Sequence, residues 1–290
     1  MHIPVLQKEV IKYLEPKPNE NFIDCTIGEG GHTLAILEKN APKGKVLGIE
    51  LDPELYKKLL KSDFDRLILV NDSFVNLKEI TKKVKFRQVS GILFDLGMSS
   101  WHLEESGRGF SFLKNESLEM RYNPENSLTA EKIVNYWSKS EIEKILWEYG
   151  EEKFSRKIAE NIINFRQLKP VKTTFQLVEI IKKAIPSWYQ HKKIHFATRT
   201  FQALRIAVND ELNNLEKALP QATEILKPGG KIVIISFHSL EDRIVKNFFK
   251  NKSEKGELKL LTKKPIRSTK EEIKINPRSR SAKLRAAEKL

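Results

Sequence analysis

Only one cysteine, Cys25, occurs in the 290 residues, so no internal disulfide can close, and it offers no ligand cluster with the six scattered histidines. Neither a structural nor a catalytic metal is expected. Long apolar runs are missing too: nothing approaches the roughly 20 uninterrupted apolar residues of a spanning helix, and the opening Met1-His2-Ile3-Pro4 has no charged leader with an apolar core behind it. The expectation is a cytoplasmic protein with no membrane partner. Internal repeats and low-complexity tracts are absent as well. Acidic residues are in deficit, 38 against 52 Lys and Arg, which leaves a net charge of +14. That balance suits a protein that neutralises a polyanion, although composition alone does not separate nucleic acid from a membrane surface. What is present, 40% hydrophobic residues, is enough to bury one full core and a smaller second one.

Short β-branched runs at 22–25, 45–49, 67–70 and 91–94 alternate with helical patterns, the rhythm of βαβ units. These runs are apolar throughout, as strands covered on both faces by helices should be, so the sheet is expected to be parallel. After Ser100 the rhythm stops. No glycine falls between Gly150 and Gly229, and Phe154, Ile158, Ile162 and Phe165 share one helical face, so this stretch reads as mostly helical. Strand rhythm resumes at 231–236 after the Lys227-Pro228-Gly229-Gly230 turn, and a helix follows in which Ser239 and Asp242 are spaced as a capping box. The simplest architecture is a doubly wound domain with a helical domain inserted after its fourth strand. Residues 251–290 hold 13 basic and 5 acidic side chains. They read either as a solvated tail or as an ordered RNA-contacting edge, with 281–284 able to form a closing strand.

Chemistry concentrates at the strand ends. The first strand runs through Asp24-Cys25-Thr26-Ile27 into Gly28-Glu29-Gly30-Gly31-His32, where glycines allow a sharp turn and let a ligand lie against exposed N–H groups. A dinucleotide site would look similar. Thr33 replaces the third glycine of that pattern, which tilts the reading towards the methionine end of S-adenosylmethionine. The second strand ends at Glu50, able to accept both hydrogen bonds of a ribose diol, and Asp52 before Pro53 reads as a helix N-cap. Asn71-Asp72-Ser73-Phe74 follows the third strand. Phe74 suits the face of an adenine or, equally, a buried helix start. The fourth strand ends Asp95-Leu96-Gly97-Met98-Ser99-Ser100, and four such ends in succession are more specific than any one of them.

Other segments carry a wider pattern: His2-Ile3-Pro4-Val5-Leu6, Arg108-Gly109-Phe110-Ser111-Phe112, Glu119-Met120-Arg121, ATRTFQAL at 197–204, ISFHSLEDR at 235–243 and NPRSRSAKLR at 276–285. With the strand ends, they make the chain resemble the bacterial small-subunit ribosomal RNA cytosine N(4)-methyltransferase family over nearly its whole length. The resemblance implies an α/β class I S-adenosylmethionine-dependent methyltransferase fold, Rossmann-like and doubly wound, spanning 1–104 and 205–290. It also implies an inserted, mostly helical substrate-recognition domain at 105–204. The implied reaction is methylation of the exocyclic N(4) amino group of a cytosine in the decoding region of 16S ribosomal RNA, free or in the small ribosomal subunit. Implied cofactor contacts fall on Gly30, Gly31, His32, Glu50, Phe74, Asp95 and His102. The chain departs from the family's usual pattern at Trp101-His102, where Pro-Gln is common, at Glu50, where Asp is common, and at Ser117-Leu118-Glu119, where Pro-Leu-Asp is common.

Transfer of a methyl group from a sulfonium is an in-line displacement that asks for positioning and exclusion of water. Methylation at pyrimidine carbon 5 would need a cysteine nucleophile, and Cys25 reads as a small buried residue. The target is therefore nitrogen or oxygen, and the choice of nitrogen rests on the resemblance. Asp95, Ser99 and Ser100 are the candidate catalytic acceptors for the amine protons. Asp95 has a second reading, as a tether for the following turn. Trp101, Phe110, Phe112 and His238 are candidates to hold a flipped base, each equally readable as core. Gln202, Arg205 and Asn209 form a polar helical stripe able to track phosphates or to face solvent. Rival readings are methylation of DNA or protein, a dinucleotide-dependent oxidoreductase and a non-catalytic RNA-binding protein.

Overall fold

Side chains on successive positions of a strand point to opposite faces, and in this chain both faces of the central strands are covered. The computed structural model describes residues 4–62 and 64–290, so His2 and Ile3 of the opening motif lie outside the described residues. The chain divides into two compact units, Met1–Gly97 with Leu212–Leu290, and Met98–Glu211. The second unit therefore begins before, and ends after, the 105–204 expected from sequence.

In chain order the first unit supplies α1 (Gln7–Leu14), β1 (Asn21–Asp24), α2 (Gly31–Lys39), β2 (Val46–Glu50), α3 (Pro53–Leu59), β3 (Leu67–Asn71), α4 (Leu77–Lys83) and β4 (Val89–Asp95). The second unit then supplies α5 (Ser100–Glu104), α6 (Ala130–Tyr136), α7 (Lys139–Glu148), α8 (Ser155–Leu168), α9 (Thr174–Ala184), α10 (Ser187–Gln190) and α11 (Thr198–Asn209). After α12 (Glu211–Ile225) the chain returns to the sheet with β5 (Leu226–Ser236), α13 (Ser239–Glu254), β6 (Leu258–Leu260), α14 (Lys270–Ile275) and β7 (Lys283–Lys289).

The seven strands form one sheet in the order β3-β2-β1-β4-β5-β7-β6. Strands β1 to β5 are parallel, and β7 runs antiparallel to both neighbours. Ile92, Phe94, Ile232 and Ile234 face one core with Leu77 and Ile80 of α4, Leu215 and Leu219 of α12 and Phe249 of α13. Leu93, Val233 and Ile235 face the other core with Val10 and Leu14 of α1 and Ile36 of α2. This is the doubly wound, Rossmann-like arrangement, and its strand order reverses between β1 and β4, where ligands of such sheets bind at the carboxyl ends. Strand β5 starts earlier than expected, because Pro228-Gly229-Gly230 forms an irregularity opposite Val89 and Gly91 instead of a separate turn.

Helix starts were partly legible. Asp52 caps α3, its Oδ1 accepting the N–H groups of Glu54 at 2.8 Å and Leu55 at 3.4 Å, with Pro53 in the first turn. The start of α13 needs a correction. Its cap is His238, whose extended backbone precedes the helix, and the capping box pairs His238 with Glu241, not Ser239 with Asp242. Asp242 instead reaches β7: Arg285 donates to it through Nε at 2.7 Å and Nη2 at 3.3 Å, and Lys283 Nζ lies at 3.4 Å. The basic tail is thus ordered, with β7 inserted between β5 and β6.

The second unit packs α6, α7, α8, α9 and α11 around Ile133, Ile142, Leu146, Ile158, Ile162, Leu177, Ile181 and Leu204. The loop before α6 is braced by its own motif residues. Arg108 donates to the carbonyls of Arg121 and Tyr122, and Arg121 donates to those of Pro124 and Asn126. Gly109 has φ +75°, and a Cβ there would stand 2.1 Å from the Ser117 carbonyl oxygen, so only glycine fits. The polar stripe on α11 also needs correcting. Gln202 donates to Tyr149 O, Arg205 forks onto Glu211, and Asn209 binds Met120 O and Tyr122 N. Spacing on a helix marks a face but not what meets it, and here the end of α7, Glu211 and the braced loop each take one of the three side chains.

Removing the Asp242 carboxylate leaves Arg285, which is 7% exposed, without its bidentate partner. Asp242→Asn is expected to cost about 2 kcal/mol in urea unfolding, below the full value for a buried pair because part of the aspartate reaches solvent. Burial works to raise the Asp242 pKa, but the hydrogen bond and charge of Arg285, helped by Lys283, hold it below the usual range. Its stabilisation is therefore present above about pH 4 and fades as pH falls through the lowered value, and the variant should lack that acid-side loss.

Candidate cofactor and methyl-transfer site

The glycine turn connects β1 to α2 at the carboxyl edge of the sheet. Gly28 and Gly30 have φ +56° and +82°, a region that side chains other than glycine rarely adopt, and Gly30 caps α2 without a side chain. The turn is tied to the next strand end through Glu50. One carboxylate oxygen accepts the Gly28 N–H at 3.0 Å, and the other accepts the Asp52 N–H at 2.9 Å. Glu50 is 7% exposed. Burial pushes its pKa up to about 8, and the neighbouring Asp52 charge adds to the rise against the two backbone donors that oppose it. The β3 end joins the same network, where Asn71 Nδ2 and the Asp72 N–H both donate to the Glu50 carbonyl, at 2.7 and 3.1 Å.

Beside this network the ends of β1 and β4 bring Asp24 and Asp95 into the neighbourhood of His32. Asp24 is 1% exposed, and its carboxylate accepts Thr33 Oγ1 at 2.8 Å and the Thr26 N–H at 3.2 Å. Burial raises its pKa, while His32 and Thr33 pull the other way. Asp95 is fixed by its N–H to Thr26 Oγ1 at 2.7 Å and accepts the Gly97 N–H at 3.2 Å. The second carboxylate oxygen lies 3.4 Å from His32 Nε2, outside hydrogen-bond geometry, and neither ring nitrogen of this buried histidine has a hydrogen-bond partner among the described residues. A buried, unsatisfied imidazole beside a carboxylate is costly unless a ligand completes it.

Of the residues expected from sequence, Gly30, Gly31, His32, Glu50 and Asp95 lie together in the first unit. Phe74 is half-buried at the start of a short 3₁₀ turn and meets Phe94 edge-on at 5.6 Å. In the second unit, Ser99 caps α5, and its Oγ lies 2.8 Å from His102 Nδ1. Ser100 opens that helix. His102 is buried, its ring meeting those of Trp101, Phe110 and Tyr122 at 4.9–5.2 Å. Trp101 and Phe110 are likewise buried, and Phe112 stacks on His195 at 4.5 Å. His238 is occupied as a helix cap. Sequence reasoning passed over Asp24 and Thr26. The signal was available, since Asp24 ends its strand as Glu50 and Asp95 end theirs.

The sequence pattern of the MraW methylase family matches residues 1–290. The chain belongs to that family. It is 50% identical over 293 residues to a protein of Thermosipho melanesiensis, covering 100% of this chain and 98% of the relative, and 45% identical over 308 residues to one of Heliobacterium mobile, covering 100% and 99%. Both are named ribosomal RNA small subunit methyltransferase H. Among solved structures, a putative rRNA-methylase from Clostridium thermocellum aligns with 14% identity and a TM-score of 0.49, covering 100% of each chain.

This methylase has the class I fold, and its methyl donor is S-adenosylmethionine. The strand-end network fits that cofactor. Each Glu50 oxygen is used once and retains a lone pair, enough for the two hydroxyls of a ribose. The glycine turn leaves backbone within reach of a ligand, and the unsatisfied His32 nitrogens supply polar partners for the amino-acid end.

In the methylase, Glu50→Gln removes the charge but keeps the shape. Cofactor affinity, measured by calorimetry at pH 9, where Glu50 is ionised, is expected to fall by roughly 1.5–3 kcal/mol for each charge-assisted hydrogen bond lost. The stability of the ligand-free protein should respond in the opposite sense. A carboxyl raised from about 4.3 when unfolded to about 8 when folded stabilises below the lower value and loses that contribution as pH rises through the upper one. Urea midpoints at pH 5 and pH 9 should therefore diverge less in Glu50→Gln than in the parent.

Proposed function

We propose that this methylase transfers a methyl group to the exocyclic N(4) amino group of a cytosine in the decoding region of 16S ribosomal RNA, and that Met98–Glu211 serves in recognising the RNA. Whole-length identity of 45% and 50% to proteins named for methylation of small-subunit ribosomal RNA supports the substrate class. The acidic end of β4, with Asp95 held by Thr26 and Gly97, is the observation that carries the chemistry.

S-adenosylmethionine supplies an electrophilic methyl group on a sulfonium. The protein's task is then to aim a weak nucleophile. The lone pair of an aromatic amine is delocalised into the ring, so an acceptor that grips an amine proton favours the geometry in which that lone pair is free to attack. Asp95 is suited to this because its Oδ1 is spent on the turn while Oδ2, among the described residues, has His32 Nε2 beside it at 3.4 Å and outside hydrogen-bond geometry. Ser99 and Ser100 are the second pair of acceptors in this reading. Nitrogen or oxygen is favoured over carbon 5 because the single thiol is sealed: burial, and then the charge of Asp24, push the Cys25 pKa up, which suppresses the thiolate a ring-activating nucleophile requires. No helix among the described residues is long and apolar enough to cross a membrane.

Asp95→Asn retains an oxygen for the Gly97 N–H and loses the charge. Single-turnover methylation of undermethylated small ribosomal subunits with labelled cofactor, both at saturation, is expected to slow about a hundredfold, with cofactor binding reduced far less. Nucleoside digestion of the parent reaction should release N(4)-methylcytidine. An unaltered rate in Asp95→Asn would reduce the residue to a turn tether, and label in any other nucleoside would overturn the assignment of the target atom.

A further inference from the structure

Charge is segregated within the second unit. Residues 98–152 hold 6 Lys and Arg against 11 Glu, whereas residues 153–199 hold 11 Lys and Arg against only Glu160 and Glu179. Nine of those cations are exposed, among them Lys153, Arg156, Lys157, Lys182, Lys192 and Lys193. Within the basic stretch stands an aromatic side chain that the core does not absorb. Trp188 is 60% exposed on α10, and Lys192 Nζ lies 4.8 Å from its ring centroid. Its support is rigid. The next residue, Tyr189, is buried and donates its hydroxyl to the fully buried Glu152 at 3.0 Å, while Phe154 meets Trp188 and Tyr189 edge-on at 6.1 and 4.9 Å. The Phe154 contact joins the start of α8, with Lys153, Arg156 and Lys157, to the α10 turn.

We propose that Trp188 and the surrounding lysines form a stacking platform for a single-stranded segment of RNA, one base lying on the indole while Lys192, Lys193 and Lys153 meet the flanking phosphates. The inference rests on the reading that the substrate is RNA. An exposed indole is sequence-tolerant as a stacking surface because every base has a π-face, and a cation beside it reinforces the contact. A closed duplex keeps its bases stacked on each other, so the platform selects unpaired nucleotides. Such a segment is what remains beside a base withdrawn from its stack for methylation. Charge complementarity favours a polyanion, and the brevity of α10, a four-residue turn, argues against a membrane-lying amphipathic helix.

The test uses the full chain and a fluorescein-labelled single-stranded oligoribonucleotide of about a dozen nucleotides, a size that matches single-strand site lengths. Trp188→Ala should weaken binding about tenfold, the loss of one stacked base, while Trp188→Phe restores most of it. Lys192→Gln with Lys193→Gln should flatten the log K against log salt slope by about 0.7 for each phosphate contact removed. With small ribosomal subunits as substrate, Trp188→Ala should raise KM and leave kcat and cofactor affinity unchanged. Unchanged oligonucleotide binding by Trp188→Ala overturns the proposal, as does an equal loss for a duplex of the same length. Loss of binding to acidic phospholipid vesicles with RNA binding intact would assign the surface to a membrane and overturn it too. A parent protein that binds RNA through Trp188 but methylates no ribosomal RNA would overturn the proposed function and leave the platform standing.

Discussion

Five parallel strands covered by helices on both faces leave polar side chains almost nowhere to go except the strand ends, and that constraint organises this molecule. Alternate residues of β4 and β5 enter two separate apolar cores, so the first chance for a carboxylate comes where each strand stops. Asp24, Glu50 and Asp95 all stand at that point on the same edge. The glycine turn belongs there as well, because an α-helix that must return over the sheet begins where the strand ends, and its first N–H groups face the same edge. The cofactor network is in this sense the residue of sheet formation: acids and unpaired amides gathered by the exclusion of everything polar from the layers beneath.

Gathering acids has an electrostatic consequence that the hydrogen bonds only partly offset. Asp24 and Glu50 are both buried deeply enough for burial to lead every other influence on their protonation. Each is nonetheless held by two donors, Glu50 by backbone amides and Asp24 by one amide and the Thr33 hydroxyl. The ligand-free edge is therefore over-supplied with acceptors and short of donors. S-adenosylmethionine reverses that shortage, since its ribose hydroxyls and its ammonium group are donors. Preorganisation of this kind, held by backbone amides, costs no rearrangement when the ligand arrives.

Much of the first unit was legible in the sequence because its signals are local. Apolar runs bounded by turn residues gave β1 to β4, and Asp52 before Pro53 announced α3 in its own three residues. Long-range pairing was less legible. Ser239 and Asp242 have capping-box spacing, but the box belongs to His238 and Glu241, and the fate of Asp242 depends on Arg285 arriving from β7. Gln202, Arg205 and Asn209 similarly showed a shared face and could not reveal that a loop at 118–128 would cover part of it. Among candidate site residues, the glycine turn, Glu50 and Asp95 could be read from position alone. Asp24 required knowing that the ends of β1 and β4 meet beside one histidine.

The pairing of β4 with β5 joins residues on opposite sides of the whole second unit, Asp95 lying in register with Ile235. As an unstructured loop, that intervening chain would impose a closure entropy on the central pair of the sheet and slow its formation, since distant pairings are rewarded only after the loop has closed. The insertion has a hydrophobic core of its own, so its collapse shortens the path between the two strands before they meet. The helical insertion thus acts as a clasp: folded on its own core, it shortens the loop that the central strand pair has to close.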